Sequence, residues 1–508
     1  IAASLRSPTP GLPGALVPKG TPVTPPATAG QAEQSQLESA THPETRGIEL
    51  IQPSERHGRA RDLFAVWAAP NVSVLACTMG ATLTLVLGLE IWQAILVILA
   101  SSLLWVLPGI VAISGPAAGT SGSVITRAIY GVRGNKFIIA FYGWFISGVF
   151  LALNWVASAF MGAELLRRMG MENGTLNILV VSIVVSTITV LVAVYGHALI
   201  LRAYTVVTAI LLVIFVLVVG FILPNVDWAF TQPEPLEGVG LWTSVSIGFA
   251  ILASSPLSFS NSADLARYLP RDTKPSHIVA ATALGGALPG FFFTSIGALL
   301  GTAVKPEDLA FGIEYPLLEM LPVWLGPIFV LGVIVNTIAL NGMTTYTASM
   351  VFQSIGVRMK RIPSAITIGV LGTIFTIVLA LATNLIDAVN LMLQFLLIIS
   401  VPTMAVYEMD IILRRNRYNG FDLFDESPGG PFWYSGGFSV PGISAALAGG
   451  IATALFLSTD VWTGPLAVAI GYVDLSVPVG LAVSAIVYVA CTRRSAAALS
   501  PATARVSA

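Results

Sequence analysis

The chain has 508 residues, 55% of them hydrophobic and only 10% charged, and its 25 Lys and Arg nearly balance 26 Asp and Glu to a net charge of −1. Together with a mean hydropathy of +0.83, this excludes a soluble globular domain, which carries about a quarter charged residues, and the basic residues form no stripe of the kind that binds nucleic acid. The two cysteines and four histidines lie apart in the sequence and supply no His/Asp/Glu cluster for a catalytic metal, so the composition points to a polytopic membrane protein and not to an enzyme.

In chain order, residues 1–58 are rich in Pro, Thr, Gly, Ala and Gln and are expected to form a disordered N-terminal tail, without the layout of a signal peptide. Residues 59–494 hold twelve hydrophobic segments, each close to the roughly 20 residues that cross a bilayer. Their expected spans are 63–88, 91–113, 136–165, 175–196, 203–223, 241–266, 277–303, 323–353, 364–382, 385–406, 441–459 and 466–491, numbered here as segments 1 to 12. Residues 495–508 are the expected C-terminal tail. Most Lys and Arg fall between segments on one side, from Arg56, Arg59 and Arg61 to Arg493 and Arg494; the other side has only Arg167, Arg168 and Lys305. The positive-inside rule then places both termini in the cytoplasm, with the chain in the plasma (inner) membrane.

Two segments cannot be straight helices. In segment 6, Ser254, Ser255, Pro256, Ser258, Ser260, Asn261 and Ser262 follow the apolar run Ile247 to Ala253; in segment 1, Pro70, Asn71, Ser73, Thr78 and Gly80 interrupt the apolar residues. Proline removes a helical N–H and clashes with the preceding turn, and groups freed at membrane depth require packed helices or a polar cavity. Such residues also kink ordinary packed helices. A pair of interrupted segments opening successive blocks of five, however, predicts an inverted repeat of five plus five helices, two further helices, and a binding site at the breaks.

At SADLARYLPRDT (262–273) the chain resembles the nucleobase:cation symporter-1 family, in its purine-cytosine permease branch. The resemblance extends to Trp67, Asn71 and Gly80 in segment 1, GLEIWQA (88–94), Arg127 with Gly131, Gly134 and Asn135, the GAELL of segment 3, NGMTTYTASMVFQ in segment 8 and DLSVPVGLAVSAIVY in segment 12. It implies an all-α, leucine-transporter-like fold and cation-coupled uptake of a nucleobase-like heterocycle such as cytosine, a purine or allantoin. No cofactor is implied beyond a coupling ion, Na+ or H+. Two departures stand out. Where many relatives carry an aromatic residue six positions before the aspartate of segment 6, this chain has Ser258, with Phe259 beside it. Where the family often shows a tryptophan with an asparagine one turn later in segment 3, the order here is Asn154, Trp155 and then Ser158.

A flat ring favours two π-faces, each stacking contact contributing about 1–3 kcal/mol, so Trp155 and Phe259 are expected to flank the substrate, with Asn154, Ser258, Asn341 and Gln394 as polar contacts. Asn341, Thr344 and Thr345 gather hard oxygen donors in segment 8 and, with backbone carbonyls of segment 1 around Val72 and Leu75, form a candidate sodium site. The competing reading of that trio is hydrogen bonding between packed helices. Asp264 is a candidate proton carrier, although an i,i+3 ion pair with Arg267 would equally explain it. Glu164 with Arg167 and Arg168 reads as a surface pair. An amino acid, amine or vitamin carrier of the same fold is the alternative function.

Overall fold

This computed structural model describes residues 47–304, 314–382 and 385–503. Among them, ten helices are long and apolar enough to cross a membrane: Ile91–Ala118, Val132–Arg168, Gly174–Tyr195, Ala198–Asn225, Gly238–Leu257, Pro275–Leu300, Leu325–Ser354, Arg361–Leu381, Leu391–Arg414 and Ser476–Arg494. They correspond to segments 2 to 10 and 12. Segment 1 is a pair of helices, Asp62–Asn71 and Val74–Val86, bent by 55° at the break. Segment 11 is the shorter apolar helix Val440–Phe456.

The helix ends depart from expectation where glycine and proline decide them. Gly196, at φ 80° and ψ −153°, ends segment 4 and starts segment 5 within one residue, so segment 5 is helical well before the expected residue 203. The expected start of segment 12 at 466 lies instead in a short helix, Pro465–Ala469, followed by Gly471 at φ 80°; the long helix begins only at Ser476. The end of the expected tail also packs. Ile51 is buried and its N–H donates to the Gly119 carbonyl at 2.8 Å, while the Thr120 hydroxyl donates to the Ile48 carbonyl at 2.6 Å. The apolar residues of GIELI (47–51) reach a protein surface that can bury them, which is why residues 47–58 form part of the fold; residues 1–46 lie outside the described residues.

Packing sorts the helices into three groups. Segment 7 lies along both halves of segment 1 and along segment 2, which in turn packs on segment 6. Segments 3, 4, 8 and 9 pack on one another, and segments 10, 11 and 12 form a third cluster. Small residues set the closest approach of segments 1 and 7. A Cβ on Gly80 would stand 1.9 Å from the Thr294 carbonyl oxygen, and one on Gly297 would stand 2.0 Å from that of Cys77, the close backbone contact that drives helix association where water cannot. The first group, carrying both breaks, faces the second across a central cavity.

Candidate functional site

The site is built on the two breaks. In segment 1, Pro70 offers no N–H, Val72 leaves helical geometry at ψ 74°, and the extended Ser73 caps the second half by accepting from the Leu75 N–H at 3.1 Å. A serine N-cap of this kind starts a helix afresh. In segment 6 the helix ends at Leu257, one residue after Pro256, and the chain turns through Ser258 to Ser262 before the short helix Ala263–Ala266. The hydroxyl of Tyr142, from segment 3, satisfies this turn twice: it donates to the Ser258 carbonyl at 2.8 Å and accepts from the Ser260 N–H at 3.2 Å.

Between the breaks lies a cavity of about 70 Å³, room for a few waters. Trp67, Phe150 and Phe259 give it aromatic walls, and Asn71, Ser147, Ser255, Asn261, Thr344 and Thr347 give it polar groups. Among the described residues, no charged side chain lines it. Phe259 is held from behind, with its ring stacked on Trp105 at 5.5 Å and edge-on to Trp67 at 4.9 Å. The Asn71 amide donates to the Trp67 carbonyl at 2.8 Å.

Of the residues expected at the site, Leu75, Ser258, Phe259 and Thr344 line this cavity. The others lie elsewhere. Trp155 points to the far side of segment 3, where Nε1 donates to the Thr189 hydroxyl at 3.3 Å and the ring packs with Leu151, Val185 and Ile368. The Asn154 amide donates to the carbonyl of Phe150 on its own helix, at 2.7 Å. Phe150, one turn before Asn154, is therefore the segment-3 aromatic that reaches the cavity. Phe150 and Asn154 thus stand one turn apart, and the adjacent tryptophan draws attention away from the pair. Gln394 donates to the Ser458 carbonyl at 3.2 Å and fastens the connection after segment 11.

The expected sodium ligands do not converge. Asn341 donates its amide N–H across to the Leu151 carbonyl of segment 3 at 3.0 Å and Thr344 donates to the Leu340 carbonyl of its own helix at 3.1 Å, while Asn341 Oδ1 and the Thr345 hydroxyl are buried with no hydrogen-bond partner among the described residues. On a helix, positions 341 and 345 share a face and 344 is turned about 60° from 341, so Asn341 acts as the interhelical hydrogen-bonder of the competing reading. Val72 is buried at the break. The residue that does meet segment-1 carbonyls is Asn336, whose amide nitrogen lies 2.9 Å from the Ala69 oxygen and 3.3 Å from that of Pro70. It was not anticipated; its place one and a half turns before Asn341 on a broadly polar helix carries no distinguishing motif.

At the end of the molecule carrying the basic residues, Asp264 is buried and accepts from the N–H of Gly122, the first residue of the short helix Gly122–Ile125, at 2.7 Å. The wholly buried Arg267 donates to the Gly47 carbonyl at 2.6 Å and to the Tyr346 hydroxyl of segment 8 at 2.9 Å. Arg127 pairs with Glu426 at 2.8 Å, as does Lys136. Burial pushes the Glu426 carboxyl up, but the Lys136 ammonium and the Arg127 guanidinium outweigh it and hold the group below the usual carboxylate range. Glu164 forms its expected pairs with Arg167 at 2.7 Å and Arg168 at 2.8 Å.

A family model described as permease for cytosine/purines, uracil, thiamine, allantoin matches residues 50–480. Among curated proteins, YxlA of Bacillus subtilis (strain 168), which bears the name purine-cytosine permease, is 26% identical over 473 residues, 88% of this chain and 95% of its own. Purine-cytosine permease FCY22 of Saccharomyces cerevisiae is 22% identical, covering 86% of this chain and 83% of its own. Among solved structures, the nucleobase-cation-symport-1 family transporter Mhp1, in a closed conformation with bromovinylhydantoin bound, superposes with a TM-score of 0.68 at 19% identity, over 90% of this chain and 96% of that one. At that identity the superposition establishes the fold.

Proposed function

Because this chain belongs to the family of permeases for cytosine/purines, uracil, thiamine and allantoin, and is therefore a multi-pass membrane transporter and not an enzyme, we propose that it carries a neutral nucleobase-like heterocycle into the cell together with a cation, Na+ or H+. The observation that supports this most directly is the cavity at the two breaks: aromatic walls from Phe150 and Phe259, amides from Asn71 and Asn261, and no charged lining residue among the described residues. Uncharged rings with alternating donors and acceptors match such a lining, since buried polar groups must find partners and a buried charge would need a counter-ion. An amino acid or amine carrier requires that counter-ion, so the lining disfavours it.

In this reading the chain crosses the plasma (inner) membrane twelve times, with the basic end and both termini cytoplasmic. Substrate enters at the breaks, and the group containing segments 1, 2, 6 and 7 moves against segments 3, 4, 8 and 9 to expose the cavity alternately to either side. Phe150 and Phe259 flank the ring, Ser258 and the two amides orient it, and a cation gradient drives net uptake. The protein reconstituted in proteoliposomes is assayed for uptake of labelled cytosine, adenine, uracil and allantoin under an imposed sodium or proton gradient. Saturable uptake of at least one ring, driven by one of the two gradients, is expected. Amino acid uptake with no response to any of these rings would overturn the reading.

A further inference from the structure

The break in segment 1 frees carbonyl oxygens that a continuous helix would pair. The oxygens of Ala69 and Pro70 would accept from residues four positions on, but Ser73 and Val74 belong to the next half, and Ser73 is extended at φ −131° and ψ 138°. Two converging carbonyls at membrane depth attract either a hard cation, which is held by several oxygens at short range, or a hydrogen-bond donor. Here a donor is built in. The amide nitrogen of Asn336 lies 2.9 Å from the Ala69 oxygen and 3.3 Å from the Pro70 oxygen, and the side chain is 3% exposed. An amide offers two N–H groups, one for each oxygen. Its neighbour Thr337 accepts from the Ser158 hydroxyl at 2.6 Å, so consecutive residues of segment 8 bind segment 1 on one side and segment 3 on the other.

We propose that Asn336 is a positioning residue for transport: its amide fills the notch between the Ala69 and Pro70 carbonyls and holds the broken segment 1 against segment 8, so that this docking requires no sodium ion in the notch. The inference rests on the transporter reading and specifies how the break is kept in place. A cation could enter only by displacing the amide nitrogen, losing both hydrogen bonds. The dipole of a neutral amide does the work of a cation without the desolvation that a bare charge demands.

The test is thermal stability of the full-length protein purified in detergent, compared in sodium chloride and in N-methyl-D-glucamine chloride of equal ionic strength at about pH 7.5 and about pH 5, chosen to favour the ionised and the protonated form of a carboxyl that burial raises. The wild-type shift between the two salts is the reference, since it contains the effect of any coupling sodium bound outside the notch. Asn336→Asp aims a carboxylate at two carbonyl oxygens; it should melt lower in N-methyl-D-glucamine at pH 7.5 and recover by at least ~2 °C in sodium or at pH 5, where a cation or a proton replaces the lost donors. An Asn336→Asp protein whose melting temperature responds to sodium and to pH no more than wild type overturns the proposal. Should that variant not be recovered, Asn336→Ala, which empties the notch, should show a larger sodium-specific rise than wild type, and a rise no larger than wild type counts against the proposal equally. No substrate enters the assay, so failure of the uptake experiment above would sink the transport reading and leave this result to stand or fall separately.

Discussion

The two broken helices solve one problem with different chemistry. Segment 1 breaks around Val72 and resumes as a long second half, Val74–Val86, started by a serine cap and backed by an amide from segment 8. Segment 6 breaks at Ser258 and resumes as only the short helix Ala263–Ala266, with a tyrosine hydroxyl from segment 3 serving both an acceptor and a donor of the open turn. In each case the freed backbone of one helix group is satisfied by a side chain of the other. The difference lies in regeneration of the helix: segment 1 nearly restores its own hydrogen bonding, whereas segment 6 leaves a longer irregular turn that depends on one phenol. Segment 6 should therefore be the more fragile break, and removing its external partner should cost more than removing the cap of segment 1.

At the breaks themselves, the largest effect is expected from Tyr142→Phe. It leaves the Ser258 carbonyl and the Ser260 N–H without their shared partner, and buried backbone groups stripped of a partner cost ~1–3 kcal/mol each. A loss of roughly 2–4 kcal/mol follows, read as a lowered melting temperature together with loss of uptake, because Ser258 and Phe259 line the cavity on the same turn. A variant that melts and transports like wild type would remove the phenol from its role.

A smaller and more selective effect is expected beside that turn. Phe259→Ala should weaken substrate binding by ~1–3 kcal/mol, the contribution of one stacked face, and Phe150→Ala should do the same from the opposite helix group. Trp155→Ala serves as the contrast: it should leave substrate affinity within about twofold of wild type while destabilising the fold by roughly 3–5 kcal/mol, the cost of emptying a large core site, since Trp155 packs with Leu151, Val185 and Ile368. Binding titration beside a melting curve separates the two outcomes. Lost affinity in Trp155→Ala with unchanged affinity in both phenylalanine variants would reverse the assignment of the cavity walls.

The all-helical membrane fold, both breaks, and the approximate spans were legible because hydropathy and proline act locally: Pro70 and Pro256 deny an N–H wherever they sit. Phe259 and Ser258 were legible for the same reason, being next to a break. What the sequence obscured depends on the rotation of a helix about its axis. Asn154, Trp155 and Phe150 lie within two turns of segment 3, and each additional residue turns the side chain by about 100°, so a residue-type preference for tryptophan selected the side pointing at segments 4 and 9. The same rotation separates Thr344, on the cavity, from Asn341, bonded to Leu151. Asn336 escaped notice because its partners are backbone carbonyls 267 and 266 positions away in the chain, and no side-chain pattern marks a carbonyl as free.

The smallest expected effect tests the regeneration of the two second halves. Ser73 accepts from the Leu75 N–H and so caps the helix that follows, whereas Ser262, at the equivalent place in segment 6, makes no capping bond and instead donates its hydroxyl to the Pro108 carbonyl at 2.6 Å. Ser73→Ala should cost ~1 kcal/mol, the usual worth of a serine cap. Because opening of a helix end is local, this appears mainly as about fivefold faster hydrogen exchange at the first-turn amides of Val74–Ala81, with little change in global melting. Ser262→Ala loses a tether to segment 2 and no cap, so exchange within Ala263–Ala266 should quicken no more than exchange around Pro108. Equal acceleration at both second halves would mean that the serines play the same part, and the contrast between a self-capped break and an externally held one would fail.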